Sequence, residues 1–457
     1  MKTPSLQTAR FSQNKSIFKQ FWPTRIAKFA LVFAAVYTPL VIASSTADNG
    51  STGALAYPSS LPPEPLARAA IAAAPMTELA RLSWQGEQSQ SRLLRAGGYE
   101  WAFRAALQRR VERTGRSFTE PELYLERSLR WGDKAALDDR LAEAGQVAAW
   151  SSYEDAWHES ARALLRAWFD TAREDSTVRS QADQVALADQ QLAAVQKRVA
   201  AGDAPKLEAL LARGELDRSA AALSSARQRA QFLRVAFDLR YPALALESPQ
   251  LENGAPSVEV LPVTPDAATL EQAILAENHE IELAKAHTEL ARLRFARTDR
   301  DRRADPTVGL RYARERGGQE NIVGISIAIP FGGVARNTRS ELAAVEASKA
   351  ETREREVLAR VEYEAKQAAR AVAQSRQIAD QLAAAARHAT TAADLAAKAY
   401  DEGEMPIGSL LQARRQAGES QLAATLAQVT AHEAATKALL DAHQLWTPAP
   451  LDNTGHP

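Results

Sequence analysis

The chain has 457 residues, no cysteine, and 56 basic against 56 acidic side chains. The charge balance gives no bulk electrostatic case for nucleic acid. The missing cysteine excludes disulfides, thiolate metal sites, a cysteine nucleophile and a lipidated N-terminal cysteine. Length alone would suggest two or three domains, but the pattern below argues for one elongated molecule built from two similar halves.

Lys15, Lys19, Arg25 and Lys28 precede an apolar run, Phe29 to Ala43, interrupted only by Thr38 and Pro39. Small residues follow, Ala43-Ser44-Ser45-Thr46-Ala47. That order predicts a signal peptide over residues 1–43, cut after Ala43 or Ala47. The run is about 15 residues, short of the ~20 that span a bilayer; a retained single-pass anchor is the alternative. Residues 44–62 are rich in Ser, Pro and Gly and read as flexible or surface-wrapped.

The first repeat is assigned to residues 44–241. Helix is predicted from Leu66 to Leu94, with a break near Pro75. In Tyr99 to Gln108, large apolar residues take nearly every second place. Leu123, Leu125 and Leu129 then alternate with Tyr124, Glu126 and Arg130, and Arg127 breaks the apolar row. A period of two with one apolar face is a half-buried strand. Trp131-Gly132 opens a long helix, Asp133 to Ala201, whose only internal breaker is Gly145. Gly202-Asp203-Ala204-Pro205 makes a turn, and a return helix runs from Lys206 to Leu239. Residues 242–268 carry five prolines and read as a linker.

The second repeat, residues 269–446, follows the same order. A helix covers Leu270 to Arg302, and strands follow at Thr307 to Arg314 and Ile322 to Ile329. In the last strand Val323, Ile325, Ile327 and Ile329 face one way, and Gly324, Ser326 and Ala328 the other. Val334 to Glu402 contains neither Gly nor Pro. Its apolar residues step by threes and fours, through Val357, Val361, Ala365, Ala368 and Val372, then Ala386, Ala389, Ala393, Ala396 and Tyr400. That is close to the repeat of a coiled coil. About 69 residues make a rod of roughly 100 Å, which must pack along its length on other long helices. Gly403-Glu404-Met405-Pro406 turns into a return helix from Ile407 to Leu445, and residues 447–457 read as a disordered tail.

The halves align in detail. Gly202, Pro205, Leu210, Ala212 and Arg213 match Gly403, Pro406, Leu411, Ala413 and Arg414. Upstream, Leu123, Leu125, Leu129, Trp131 and Gly132 match Val323, Ile325, Ile329, Phe331 and Gly332. The expected fold is mainly α with a small β portion, a duplicated helix-strand-strand-long helix-turn-helix unit. Four strands cannot close a barrel, and open edges cannot lie in lipid. Tyr99, Trp101, Phe103, Leu107, Val323, Ile325, Ile327 and Ile329 form the expected lipid-facing row. Glu100, Arg104, Gln108, Gly324 and Ser326 lie opposite. Apolar-out and polar-in is the pattern of a water-filled membrane barrel. Three chains would supply twelve strands, an even antiparallel set, and the rods would continue it as an α-helical barrel.

The order of elements, Pro330-Phe331-Gly332-Gly333 followed by Arg336, and Tyr400-x-x-Gly403 leading to Ser409-Leu410-Leu411-Gln412-Ala413 resemble the TolC-type outer membrane efflux family. Arg198-Val199-Ala200-Ala201-Gly202-Asp203-Ala204-Pro205 and Trp131-Gly132-Asp133-Lys134 resemble its heavy-metal (cobalt-zinc-cadmium) branch. The resemblance covers about residues 64–445. It implies a homotrimeric channel-tunnel in the outer membrane of a Gram-negative bacterium, reaching into the periplasm. It also implies docking on a periplasmic adaptor protein, joined to an inner-membrane pump of the resistance-nodulation-division type. The family is passive and uses no cofactor. Its adaptor-facing tip positions fall on Gly202, Asp203, Pro205, Gly403, Glu404 and Pro406. Lys206-Leu207-Glu208 departs from Ile407-Gly408-Ser409 at the equivalent place, and no gate residue is assigned.

The acidic group Asp401, Glu402 and Glu404 reads as a solvated helix end, with guidance of cations at a mouth as the alternative. Seven histidines are scattered without a HExxH motif, so no metal site is expected, and no catalytic constellation appears. A metal cargo therefore follows from the resemblance alone. A periplasmic adaptor or a structural coiled-coil protein is the alternative reading; the two strand pairs favour the channel.

Overall fold

The computed structural model describes residues 61–245 and 266–448. The expected signal peptide, most of the linker and the tail beyond residue 448 lie outside the described residues. The elements are α1 (Glu64–Ala72), α2 (Pro75–Ala96), β1 (Ala102–Val111), β2 (Ser117–Ser128), α3 (Lys134–Ala201), α4 (Lys206–Arg240), α5 (Ala267–Ala276), α6 (His279–Arg300), β3 (Thr307–Glu315), β4 (Glu320–Ala328), α7 (Val334–Asp401) and α8 (Ile407–Asp441). The duplication extends to lengths. Helices α3 and α7 each have 68 residues, α4 and α8 each 35, and α2 and α6 each 22.

The long helices are continuous because nothing breaks them. Ala365, Val372, Ala379, Ala386, Ala393 and Tyr400 are all buried along α7. They recur every seventh residue, the spacing of a left-handed supercoil. Small side chains on this seam let α8 approach closely. Gly145 of α3 is similar in effect: a Cβ there would run into the Glu87 carboxylate of α2. Near it the Ser91 hydroxyl donates to the Ala142 carbonyl at 2.8 Å, so α2 and α3 meet through small polar groups.

Each half breaks its first helix. The break at Ala73-Ala74 is set by Pro75, at the first helical position. In the second half the expected single helix from Leu270 to Arg302 is two helices. Asn278 caps α6, its side chain accepting from the Ile281 N–H at 3.1 Å. Asparagine is a strong N-cap but carries no breaking signal as loud as proline, which is why the sequence pattern ran through it.

Partway along α3 the return helix α4 ends, and the principal apolar cluster lies there. Trp157, Leu164, Trp168 and Phe169 of α3 pack with Ile71, Phe237, Tyr241, Leu244, Leu440 and Trp446. The indole N–H of Trp157 donates to the Trp446 carbonyl at 2.6 Å. Thr447, expected in the disordered tail, accepts a hydrogen bond from Arg68.

The four strands form one antiparallel sheet in the order β1-β2-β3-β4. The hairpins of the two halves join through β2 and β3, with Leu125 opposite Leu310. Among the described residues neither β1 nor β4 has a second partner strand. None of the described helices is long and apolar enough to cross a membrane.

Candidate functional site: a two-faced sheet and paired helix turns

Register decides which side chains share a face. Phe103, Leu125, Leu310 and Ile325 lie in one row across all four strands, and Ala105, Leu123, Tyr312 and Val323 in another. Residues directly opposite in adjacent strands share a face, so these rows form one apolar surface. It is open to solvent: Ile325 is 83% exposed, and Phe103, Leu107, Val323 and Ile327 are exposed as well. Trp101 and Ile329 flank the strands by one residue and are also exposed. The Arg127 guanidinium lies 5.5 Å from the Trp101 ring, so the residue that interrupts the apolar row is drawn onto an aromatic. Contiguous exposed apolar area on this scale marks a membrane or partner surface.

Tyr99 does not belong to this row. Strand β1 begins at Ala102, three residues later than the alternation suggested. The Tyr99 hydroxyl donates instead to the Asp305 carboxylate. Glu100 likewise precedes the strand.

The opposite face is held by ion pairs, mostly from residues that the sequence reading did not place there. Arg104 meets Glu126 at 2.6 Å; Arg110 meets Glu120 at 3.1 Å and Glu315 at 2.8 Å; Arg311 pairs with Glu122. The Tyr124 ring lies between the Arg104 and Arg311 guanidinium groups, 5.7 and 5.8 Å away. Glu120 and Glu122 are buried by these partners. The alternation of β2 does carry a signal for this face, since Glu120, Glu122, Tyr124 and Glu126 recur every second residue.

Between sheet and helices lies a buried charged junction. Lys134, the first residue of α3, is 2% exposed. Its Nζ is 2.8 Å from Asp305 Oδ1, 3.1 Å from Asp301 and 2.8 Å from the Arg303 carbonyl. The Trp131 N–H donates to the same Asp305 at 3.0 Å. Burial alone would raise the Asp305 pKa, but hydrogen bonds from Lys134 and Tyr99 outweigh it and hold the carboxyl below its ordinary range.

At the other end of the long helices both turns have one geometry. Gly202 and Gly403 are left-handed, with φ of +84° and +79°. Their amides bond back to Val199 and Tyr400, both at 3.1 Å, and the next amides to Arg198 and Ala399 at 2.9 and 2.8 Å. Pro205 and Pro406 then start the return helices at φ −74°. Glycine is favoured at such a position because a Cβ is costly there. Gly202, Asp203, Pro205, Gly403, Glu404 and Pro406 are all exposed, as are Asp401 and Glu402.

The two turns are brought together. Leu192, Val195 and Ala212 of the first hairpin pack on Ala396, Tyr400, Ile407, Leu410 and Leu411 of the second. Equivalent positions are not equivalent in burial: Leu411 is 8% exposed and Leu210 is 70% exposed. The first hairpin therefore presents an apolar edge that the second spends on the contact.

No protein-family model and no curated protein matches the sequence. Solved structures match in fold. The chain is 14% identical to the CmeC outer membrane channel of Campylobacter jejuni, over 84% of this chain and 86% of that one, with a TM-score of 0.68. It is 15% identical to the outer-membrane channel OprN, over 84% and 90% of the two chains, with a TM-score of 0.71. It is also 15% identical to CusC, described with transmembrane channel formation, over 83% and 91%, with a TM-score of 0.57. The chain has the fold of these outer membrane channels.

Proposed function

We propose that three copies of this chain close into an outer membrane channel-tunnel, the passive exit duct of a tripartite efflux system. The observation that carries this reading is the sheet. Among the described residues it has two free edges, one apolar exposed face and one face of ion pairs. Joining β4 of one copy to β1 of the next removes every edge, turns the apolar face to lipid and the charged face to water. Trp101, Phe103, Leu107, Val323, Ile325, Ile327 and Ile329 then contact the bilayer, and the long helices continue the duct into the periplasm. Similarity in fold to solved outer membrane channels supports the same reading.

The exposed turns at Gly202, Asp203, Pro205, Gly403, Glu404 and Pro406 dock a periplasmic adaptor that joins an inner-membrane pump. The function needs no catalytic group and no cofactor, because the pump supplies the energy. The cargo is heavy-metal cations or small toxic compounds; the motifs around Trp131 and Gly202 support the metal branch. The test is to express the full chain in a Gram-negative host, separate the membranes and size the detergent-extracted protein. A trimer in the outer membrane fraction is the expected result. A soluble monomer in the periplasm would sink the channel reading.

A further inference from the structure

We infer a divalent-cation site beside the start of α6, formed by Glu154 of α3 with His279 and Glu282 of α6. The His279 Nδ1 lies 4.0 Å from Glu154 Oε2 and 3.9 Å from Glu282 Oε2. The three ligand atoms all lie within 4.8 Å of one another. These separations are too long for hydrogen bonds. They suit two ligands of one ion: with bonds of about 2.0–2.2 Å, neighbouring ligand atoms stand roughly 3–4 Å apart.

The imidazole nitrogen gives the second, independent indication. Among the described residues, His279 Nδ1 is buried without a hydrogen-bond partner, although two carboxylates lie beside it. A buried polar atom left so calls for an explanation. The ring packs edge-on with His443, whose centroid is 4.3 Å away, and His158 stands 5.2 Å from His443. His158 is occupied, its Nε2 lying 3.4 Å from Asp441. The three rings come from three distant parts of the chain, so no spacing motif could announce them.

The local fold explains why His279 is aimed there. Asn278 caps α6 and leaves His279 as the first helical residue. A helix N-terminus alone repels cations; Glu154 and Glu282 reverse that potential. One imidazole and two carboxylates suit a first-row divalent ion such as Zn²⁺ or Co²⁺. The ion would tie α3 of the first half to α6 of the second. The inference is independent of the channel reading, since it concerns an ion held by one chain rather than an ion passed through a duct.

The test uses the full chain, extracted, chelator-treated and titrated with Zn²⁺ by calorimetry, with Co²⁺ as a spectroscopic probe. One ion per chain is expected, with a rise in melting temperature. His279→Gln should abolish the calorimetric signal and the Co²⁺ ligand-field bands. Glu282→Gln, at an exposed position, should weaken binding by about tenfold or more while leaving the helical circular dichroism unchanged. If His279→Gln does not fold, Glu282→Gln decides alone. Absence of Zn²⁺ binding, or binding that neither substitution alters, overturns the site.

Discussion

The Tyr400 hydroxyl donates to Glu208 Oε2 at 2.6 Å and so fastens the long helix of the second half to the return helix of the first. The Arg198 guanidinium covers the same ring at 4.7 Å. Tyr400 is also the last buried residue of the sevenfold seam of α7. One side chain therefore ends the packing within the second hairpin and begins the contact with the first. The two exposed glycine turns are held as a pair.

This pair should open in alkali. Burial, with the hydrogen bond to Glu208, pushes the Tyr400 pKa up to about 12. The folded state keeps a proton that the unfolded chain loses near pH 10. Its contribution is thus complete below about pH 10 and is lost as pH rises towards 12. Protection of the Gly202 and Gly403 amides, taken relative to the base-catalysed intrinsic exchange rate, should fall across that window. Tyr400→Phe should remove the alkaline step and weaken the junction at neutral pH by about 1.5–3 kcal/mol, the range for a hydrogen bond to a charged group. An unchanged alkaline step in the variant would dissociate it from Tyr400.

Lys134 should be intolerant of truncation. It is buried and shared between Asp301 and Asp305. Lys134→Met leaves Asp305 with its Tyr99 and Trp131 donors but without a counter-charge. Breaking a buried pair from one side costs about 3–5 kcal/mol. The variant should melt well below the parent, and Lys134→Met with Asp305→Asn should recover part of the loss. A variant that melts with the parent would show that the junction does not hold the sheet on the helices.

These two junctions mark where the sequence was opaque. The long helices were legible because glycine and proline stand only outside them or, at Gly145, where α2 approaches. The turns were legible because Gly202 and Gly403 each precede a proline by three residues. Strand β4 was legible because Val323, Ile325 and Ile327 alternate without interruption. Strand β1 was misplaced because Tyr99 continues the alternation of Trp101 and Phe103, although the hydroxyl of Tyr99 turns to Asp305. Lys134 and Asp305 are 171 residues apart, and a contact at that separation leaves no local pattern. The gathering of His158, His279 and His443 was hidden for the same reason.

The two faces of β4 should respond oppositely to charge. Ile325→Arg places a cation on the apolar face, where the proposed barrel meets the bilayer. The expected penalty is about 2–4 kcal/mol near the midplane. Ser326→Arg, one residue on, lies on the face of ion pairs and should be tolerated. Comparing the oligomer in the outer membrane fraction checks both. Equal loss from the two variants would mean that the sheet faces are not divided between lipid and water.

The C-terminal segment should be a structural clasp. After α8 the chain takes two left-handed residues, His443 and Trp446, with φ of 57° and 50°. A non-glycine residue adopts this conformation only where its surroundings fix it. Here the Trp446 side chain is 2% exposed in the main apolar cluster, and its carbonyl accepts from Trp157 at 2.6 Å. Trp446→Ala keeps the carbonyl and empties the pocket, and should lose about 3–5 kcal/mol. Ending the chain after Gln444 removes the acceptor and Leu445 as well, and should lose more. The difference between the two melting curves isolates the backbone clasp from the indole. If Trp446→Ala melts with the parent, the left-handed turn is not held by its side chain.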